Sequence, residues 1–138
     1  MIVTLIPPEY INKEWSKAAP LILKGIQYDG GRWNIGAVYT ACTEGLQHLF
    51  VVYDDKFENM KAALTTKFVD YPNIRGLQVL FTGGYEGDLW FPEMNKILKG
   101  WAKDNNCKFV EFTGRKGWQR KLDKLGWKPE YVSFRMEV

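Results

Sequence analysis

Apolar and polar positions alternate along this chain with two periods, and the switches between them mark out its elements. Ile2 to Ile6 is a short apolar run closed by Pro7-Pro8, which predicts a strand. Ile11, Trp15, Ala18 and Ile22 then recur three or four apart, as one face of a helix does. Pro20 falls inside that helix; it lacks an amide hydrogen and crowds the preceding turn, so a kink or restart is expected there. Beyond Gly30-Gly31, Ile35, Val38 and Cys42 share a second helical face, and Gly45 suits the left-handed position that closes a helix.

Leu49 to Tyr53 is a compact strand-forming run, turned by Asp54-Asp55. From Met60 the chain alternates: Met60, Ala62, Leu64, Thr66 and Phe68 fall on one side, which predicts a strand with one buried face. Tyr71 to Gly76 supplies a turn and Leu77 to Thr82 the next strand. Gly83-Gly84-Tyr85-Glu86-Gly87 leads into a helix striped by Trp90, Met94, Ile97, Leu98 and Trp101, with Asp88 placed to cap it. Asn105-Asn106 ends that helix and Lys108 to Thr113 reads as a strand. Gly114-Arg115-Lys116-Gly117 opens a short helix carrying Trp118, Leu122 and Leu125, stopped by Gly126. From Tyr131 the chain alternates again, with Val132, Phe134, Met136 and Val138 together, so a final strand is expected.

The order is therefore β-α-α-β-β-β-α-β-α-β, an α/β (α+β) arrangement in a single domain over residues 1–138. The helix between Leu77–Thr82 and Lys108–Thr113 is long enough for a crossover connection. Those two strands are expected to be parallel neighbours whose C-terminal ends splay.

With 138 residues, 46% of them apolar and 15% aromatic, the chain can bury a core without disulfides or structural metal. No apolar run approaches the roughly 20 residues that span a bilayer, and the N-terminus lacks the pattern of a signal peptide. An intracellular protein is expected. Cys42 and Cys107 have no CxxC spacing and His48 is the sole histidine, so the sequence offers no metal site. Net charge is +3, which does not point to nucleic acid, but its distribution is uneven. Lys96 to Lys128 holds ten Lys/Arg against three Asp/Glu, making the C-terminal third a basic unit.

The order of elements, the glycine-rich loop before the long helix and Gly126-Trp127 near the end resemble the GNAT family of N-acyltransferases over nearly the whole chain. Trp101-Ala102-Lys103 before Asn106-Cys107, then Gly114 to Arg120 and Leu122 to Trp127, are similar to the short GNAT-like proteins of tailed bacteriophages. The last strand usual in the family is absent from the pattern, which leaves a sheet edge for another chain to complete.

The resemblance implies acetyl-CoA as cofactor, with its pyrophosphate on a loop of pattern Arg/Gln-x-x-Gly-x-Gly/Ala and on the helix N-terminus behind it. Fitted here, Gly84 stands at the Arg/Gln position, Gly87 at the central glycine and Leu89 where Gly or Ala belongs. Glu86, Asp88 and Glu93 add negative charge beside the same spot. Gly83, Gly84 and Gly87 are the candidate cofactor residues, although a tight strand-to-helix turn is the preferred reading of them; in either role Gly87 is expected to resist a side chain. The family commonly places a proton-donating Tyr four residues before the last Gly-aromatic pair; that position is Leu122. Tyr85 or Tyr131 could substitute, and no catalytic residue is assigned.

Arg115, Lys116, Trp118 and Arg120 are candidates for contact with phosphate or an acidic partner, exposed and at the start of the last helix. Two functions follow from these features: an acyl-CoA-dependent N-acyltransferase with an eroded cofactor loop, or a non-catalytic phage virion or assembly protein. The second would engage a structural protein or a copy of itself through the basic unit or free sheet edge.

Overall fold

The structure is a computed structural model covering residues 1–138. It contains β1 (Ile2–Ile6), α1 (Ile11–Ile26), α2 (Ile35–Thr43), β2 (His48–Tyr53), β3 (Met60–Asp70), β4 (Arg75–Gly84), α3 (Gly87–Asp104), β5 (Phe109–Phe112) and α4 (Gln119–Asp123). One sheet takes the strands in sequence order, antiparallel from β1 to β4. β4 and β5 are parallel, paired from Gly76–Phe109 to Val79–Phe112.

Helices cover both faces of this sheet, and β2 shows the consequence residue by residue. Leu49, Val51 and Tyr53 face the α1/α2 layer with Ile11, Ala18, Ile22, Val38 and Cys42. Phe50 and Val52 face the α3 layer with Trp90, Phe91, Met94 and Leu98. A strand at the boundary of two cores reads as a continuous apolar run rather than an alternation. β3 corrects the sequence reading for the same reason: Ala62 through Thr66 are all buried, so both of its faces are covered.

α1 approaches β4 more closely than side chains would allow. A Cβ on Gly25 would lie 2.8 Å from the Thr82 amide nitrogen and 2.9 Å from its carbonyl oxygen. A Cβ on Gly83 would collide with the Leu21 carbonyl oxygen. Two glycines, one on each element and each facing the other element's backbone, therefore set the helix directly on the strand.

Three points of the sequence reading change in the structure. α1 does not restart at Pro20 but runs unbroken through it; Pro20 stands exposed, as does Ser16, whose carbonyl loses its helical amide partner and faces water instead. α3 begins at Gly87 with Glu86 as its N-cap in the left-handed conformation; Asp88 lies in the first turn, 3.6 Å from Lys121, and caps nothing. The final strand does not form. Tyr131 to Val138 is irregular and exposed, because no strand lies next to it to share hydrogen bonds.

Cys42 lies in the α1/α2 core and Cys107 against the α3 core, so the two cysteines sit on opposite faces of the sheet. Burial pushes the Cys42 thiol up to about 12, which leaves it protonated and unreactive at neutral pH. His48 packs its ring 4.6 Å from Phe68 and 5.3 Å from Trp101, with Nδ1 3.0 Å from the Thr66 hydroxyl. Burial lowers its pKa, and the Arg75 guanidinium lowers it further.

The glycine seat and the histidine give two predictions. Gly25→Ala and Gly83→Ala should each destabilise by about 1–3 kcal/mol, the usual cost of forcing atoms into a packed interface. Gly100→Ala, in the exposed middle of α3 with nothing near its Cβ, should instead stabilise by up to about 1 kcal/mol; urea unfolding of the three variants checks the contrast. Because the folded His48 pKa is depressed, the unfolded chain binds that proton more readily. Stability should therefore fall as pH drops through about 6.5, the unperturbed histidine value. His48→Gln should flatten the dependence of the unfolding midpoint between about pH 7 and 5.5.

Candidate active-site cleft

β4 outlasts its parallel partner. Pairing with β5 stops at Val79–Phe112, while β4 continues to Gly84. The β3–β4 register shifts in the same stretch, where two steps on β3 from Leu64 to Thr66 match three on β4 from Val79 to Thr82. The extra β4 residue is a bulge, which bends and twists a strand. Past it, the edge of β4 that β5 would have paired is left open.

The loop from Gly83 to Gly87 is then pinned from several sides. Gly84 takes φ +157° against Ala62, and the Tyr85 amide donates to the Lys61 carbonyl at 2.9 Å. The Trp90 indole N–H donates to the Tyr85 carbonyl at 2.8 Å, and the Lys24 ammonium sits 3.3 Å from the centre of the Tyr85 ring. Glu86, at φ 57°, takes the left-handed turn, and Gly87 after it needs no positive φ. The loop thus ends with α3 starting at the rim of the opening.

A cleft of about 830 Å³ fills the opening. Its floor is β4 from Gln78 to Gly84, and one wall is the end of β5 with Thr113, Gly114 and Arg115. Trp118 and Lys121 come from the last helical turns, Lys24 from the end of α1, and Tyr28, Asp29, Gly30, Arg32 and Trp33 from the loop after it. Ser133 and Arg135 close it from the tail.

Charge in the cleft is one-sided. Lys24, Arg32, Arg115, Lys121 and Arg135 line it, and Asp29 is the sole lining carboxylate. Asp29 is already committed: its oxygens accept from the amides of Gly31 at 2.8 Å, Arg32 at 3.1 Å and Trp33 at 2.8 Å. That arrangement organises the α1–α2 loop and brings Arg32 and Arg135 to its carbonyls at Asp29 and Gly30, with bonds of 2.7 and 2.6 Å. Arg115 stacks its guanidinium 4.4 Å above the Tyr28 ring. The Thr82 hydroxyl, buried at the cleft wall, has no hydrogen-bond partner. A concave, cationic site with a spare buried hydroxyl and an open strand edge can hold an extended, anionic ligand.

The structure brings Gly83, Gly84, Gly87, Arg115 and Trp118 to this one cleft. Lys116 and Arg120 are exposed outside it, and no intramolecular ion pair holds Arg115, Lys116 or Arg120. Leu122 packs against the α3 core, so the position of the family's acid is a structural side chain here. Tyr131 is exposed in the tail and Tyr85 lies beneath Lys24; neither lines the cleft. Asp29, Arg32 and Arg135 escaped the sequence reading, although Asp29-Gly30-Gly31 is a recognisable turn signal. No three His, Cys, Asp or Glu side chains gather into a set of metal ligands.

The local conformations make Glu86, not Gly87, the strained residue. A Cβ on Gly87 meets only the movable Lys121 ammonium, at 2.9 Å. Gly87→Ala should therefore change stability by no more than about 0.5 kcal/mol, the usual range for a site free of special constraint. Glu86→Gly should stabilise by up to about 1 kcal/mol, since the left-handed conformation costs a residue with a side chain roughly that much. Thermal unfolding of both variants distinguishes this assignment from one in which the glycine carries the turn.

No family model matches the sequence, and no curated protein sequence matches it. Solved structures do match over the full chain at low identity. The ribosomal-protein-alanine N-acetyltransferase of Brucella melitensis biovar Abortus 2308 aligns with a TM-score of 0.73 at 11% identity, covering 100% of both chains. Glucosamine-6-phosphate N-acetyltransferase of Arabidopsis thaliana gives 0.70 at 9%, covering 99% of this chain and 97% of that one. A predicted acetyltransferase of Clostridium acetobutylicum, solved with acetyl-CoA, gives 0.72 at 11%, covering 99% and 95%. A five-stranded mixed sheet with helices on both faces, aligned end to end with three acetyltransferase structures at TM-scores of 0.70 to 0.73, establishes that the chain has the GNAT fold.

Proposed function

We propose that this protein is an N-acyltransferase that takes its acyl group from acyl-CoA, binding the coenzyme weakly and turning over slowly. The observation that carries the reading is the unpaired edge of β4 from Leu80 to Gly84, opening onto a cationic cleft at the start of α3. An extended arm with amide groups, such as the pantetheine of coenzyme A, can bond to such an edge as a short strand does. Fit to the group is supported by the unpartnered Thr82 hydroxyl and the five lining cations. The first amides of α3, at Gly87 and Asp88, with Lys121 and Arg115 beside them, would hold its phosphates.

When bound, acyl-CoA supplies a thioester carbonyl, which an amine attacks with loss of the thiolate. The chain's contribution is mainly placement. Open β4 amides and the Thr82 hydroxyl offer donors to a carbonyl oxygen, and the cationic wall favours a departing thiolate. Leu122 offers no proton, so the thiolate leaves unassisted or is protonated by water. General acid–base help is worth about 10²–10⁴ in rate, which is the scale of the expected deficit. Glu86 and Asp88 at the α3 N-terminus oppose phosphate, and Lys121 offsets only Asp88.

The competing reading is a non-catalytic GNAT-fold protein, with a phage particle as its setting, and a leucine, half-buried against the α3 core, at the acid position favours it. Calorimetry with acetyl-CoA, paired with thiol release over a panel of amines, separates the two. We expect a dissociation constant of about 0.1 mM, equivalent to about 5.5 kcal/mol, and turnover well below the roughly 10 s⁻¹ typical of enzymes. Lys121→Glu and Arg115→Glu should each weaken binding about tenfold, about 1.4 kcal/mol. No saturation up to several millimolar acetyl-CoA would sink the acyltransferase reading.

A further inference from the structure

The cations of the cleft divide by position. Lys121 stands 3.6 Å from Asp88 in the first turn of α3, and Arg115 comes from the loop after β5, so both belong with the coenzyme's phosphates on the acyl-CoA reading. Lys24 is held over the Tyr85 ring. Arg32 and Arg135 have no task in that reading.

Those two guanidinium groups meet at Gly30. A Cβ placed on that glycine would lie 2.6 Å from an Arg135 nitrogen and 2.7 Å from an Arg32 nitrogen. Arg135 donates to the Gly30 carbonyl and Arg32 to that of Asp29. Like charges brought this close repel unless an anion lies beside them. Asp29 does not supply it, because its two oxygens already accept from the amides of Gly31, Arg32 and Trp33. Arg32 forms no ion pair. Arg135 forms one, with Glu137 in the same tail, through Nε at 2.5 Å and Nη2 at 3.2 Å. The Glu137 side chain is 76% exposed, so this two-point grip on a carboxylate is easily exchanged for another.

The place of the pair in the cleft gives it a use. With phosphates at the start of α3 and the arm of the coenzyme along the open edge of β4 from Gly84 toward Leu80, the thioester lies at the inner end of that edge, where β5 closes the sheet. The α1–α2 loop reaches β4 at this stretch: the Trp33 ring meets Phe81 edge-on, with centroids 5.8 Å apart. Arg32 precedes Trp33, so the pair stands beside the inner end. No uncommitted carboxylate lines the cleft to receive a second ammonium group.

We propose that the acyl acceptor is an amine carrying an oxyanion of its own, a carboxylate or a phosphate, and that Arg32 and Arg135 hold that oxyanion while the amine faces the thioester. This rests on the acyl-CoA reading of the cleft. The amine nitrogen forms a C–N bond to the acyl carbon as the C–S bond breaks, and the electron pair leaves on sulfur. Of the two protons the ammonium group loses, one goes to solvent and one reaches the thiolate through water. Glu137 is an internal competitor, which occupies Arg135 until a substrate oxyanion displaces it. The same charge turns away diamines and other polycations.

Thiol release with saturating acetyl-CoA is compared across L-glutamate, O-phosphoethanolamine, ethanolamine and putrescine, the first two telling carboxylate from phosphate. For at least one anionic amine kcat/KM should exceed that of ethanolamine about tenfold, the scale of one charge-assisted hydrogen bond, with putrescine the poorest. Arg32→Gln should remove this preference through KM. Glu137→Gln should lower KM for the same amine about threefold, the scale of an exposed ion pair, a gain that a disturbed loop does not give. Binding of the two anionic amines without coenzyme, read from the phosphorus resonance of O-phosphoethanolamine and by calorimetry with L-glutamate, should weaken about tenfold in Arg32→Gln. Arg32-dependent binding by a protein that releases no thiol keeps the anion site and sinks the acyltransferase reading. Thiol release that favours ethanolamine or putrescine over both anionic amines keeps that reading and overturns this inference. So does an Arg32→Gln variant that binds the anionic amines as the parent does, or that loses as much affinity for acetyl-CoA as for them.

Discussion

The close seating of α1 on β4 governs the rest of the molecule. Gly25 and Gly83 let one backbone rest on the other, near Thr82 and Leu21, at the end of β4 where β5 no longer pairs. This contact fixes where α1 ends, and the chain beyond it carries Tyr28, Asp29 and Arg32 to the rim of the cleft. If the helix were held off by even one methyl group, that loop would move with it. The cleft's cationic wall is thus an outcome of packing between two glycines that hold no ligand-binding group themselves.

A second constraint is the unequal length of β4 and β5. Backbone donors and acceptors normally find partners in a folded chain, yet β4 continues past the last β5 pair beside a cleft wide enough for water or ligand. The bulge within β4 supports this, because it bends the strand where pairing ends. The fold as a whole aligns over nearly the full chain with acetyltransferases at 9% to 11% identity. The open strand edge and the helix start of this chain are made of backbone groups that any sequence can supply.

Much of this architecture was legible from periodicity. The helical stripes of α1 and α3, the parallel pairing of β4 with β5 and the glycine that ends α2 follow from local rules that the tertiary structure does not override. Two of the misreadings turn on what lies next to the segment. β3 alternates in sequence, but its alanines and threonines are small enough to bury on either face, so one-sided burial could not be told from two-sided. The tail alternates as a strand should, but pairing is a property of a neighbour and not of the segment. In the cleft, the Gly83 to Gly87 loop was visible as a motif. Asp29, Arg32 and Arg135 were not, since only folding brings residues so distant in sequence to one rim.

The division of labour between centre and ends of the elements has a consequence for how such a chain can change over time. The two cores occupy the middles of the strands and helices, with β2 as their common wall. Most of the charged groups of the cleft sit on element ends and loops, where they are exposed or half-buried and their contacts are local to the rim. Replacing the cations there alters what the cleft binds while leaving both cores intact. Selection for a stable chain is therefore separable from selection for chemistry, as at Leu122, which is half-buried against the α3 core and offers the cleft no proton. A lineage can abandon or exchange its chemistry and keep the scaffold, and a descendant's shape then records ancestry more faithfully than occupation.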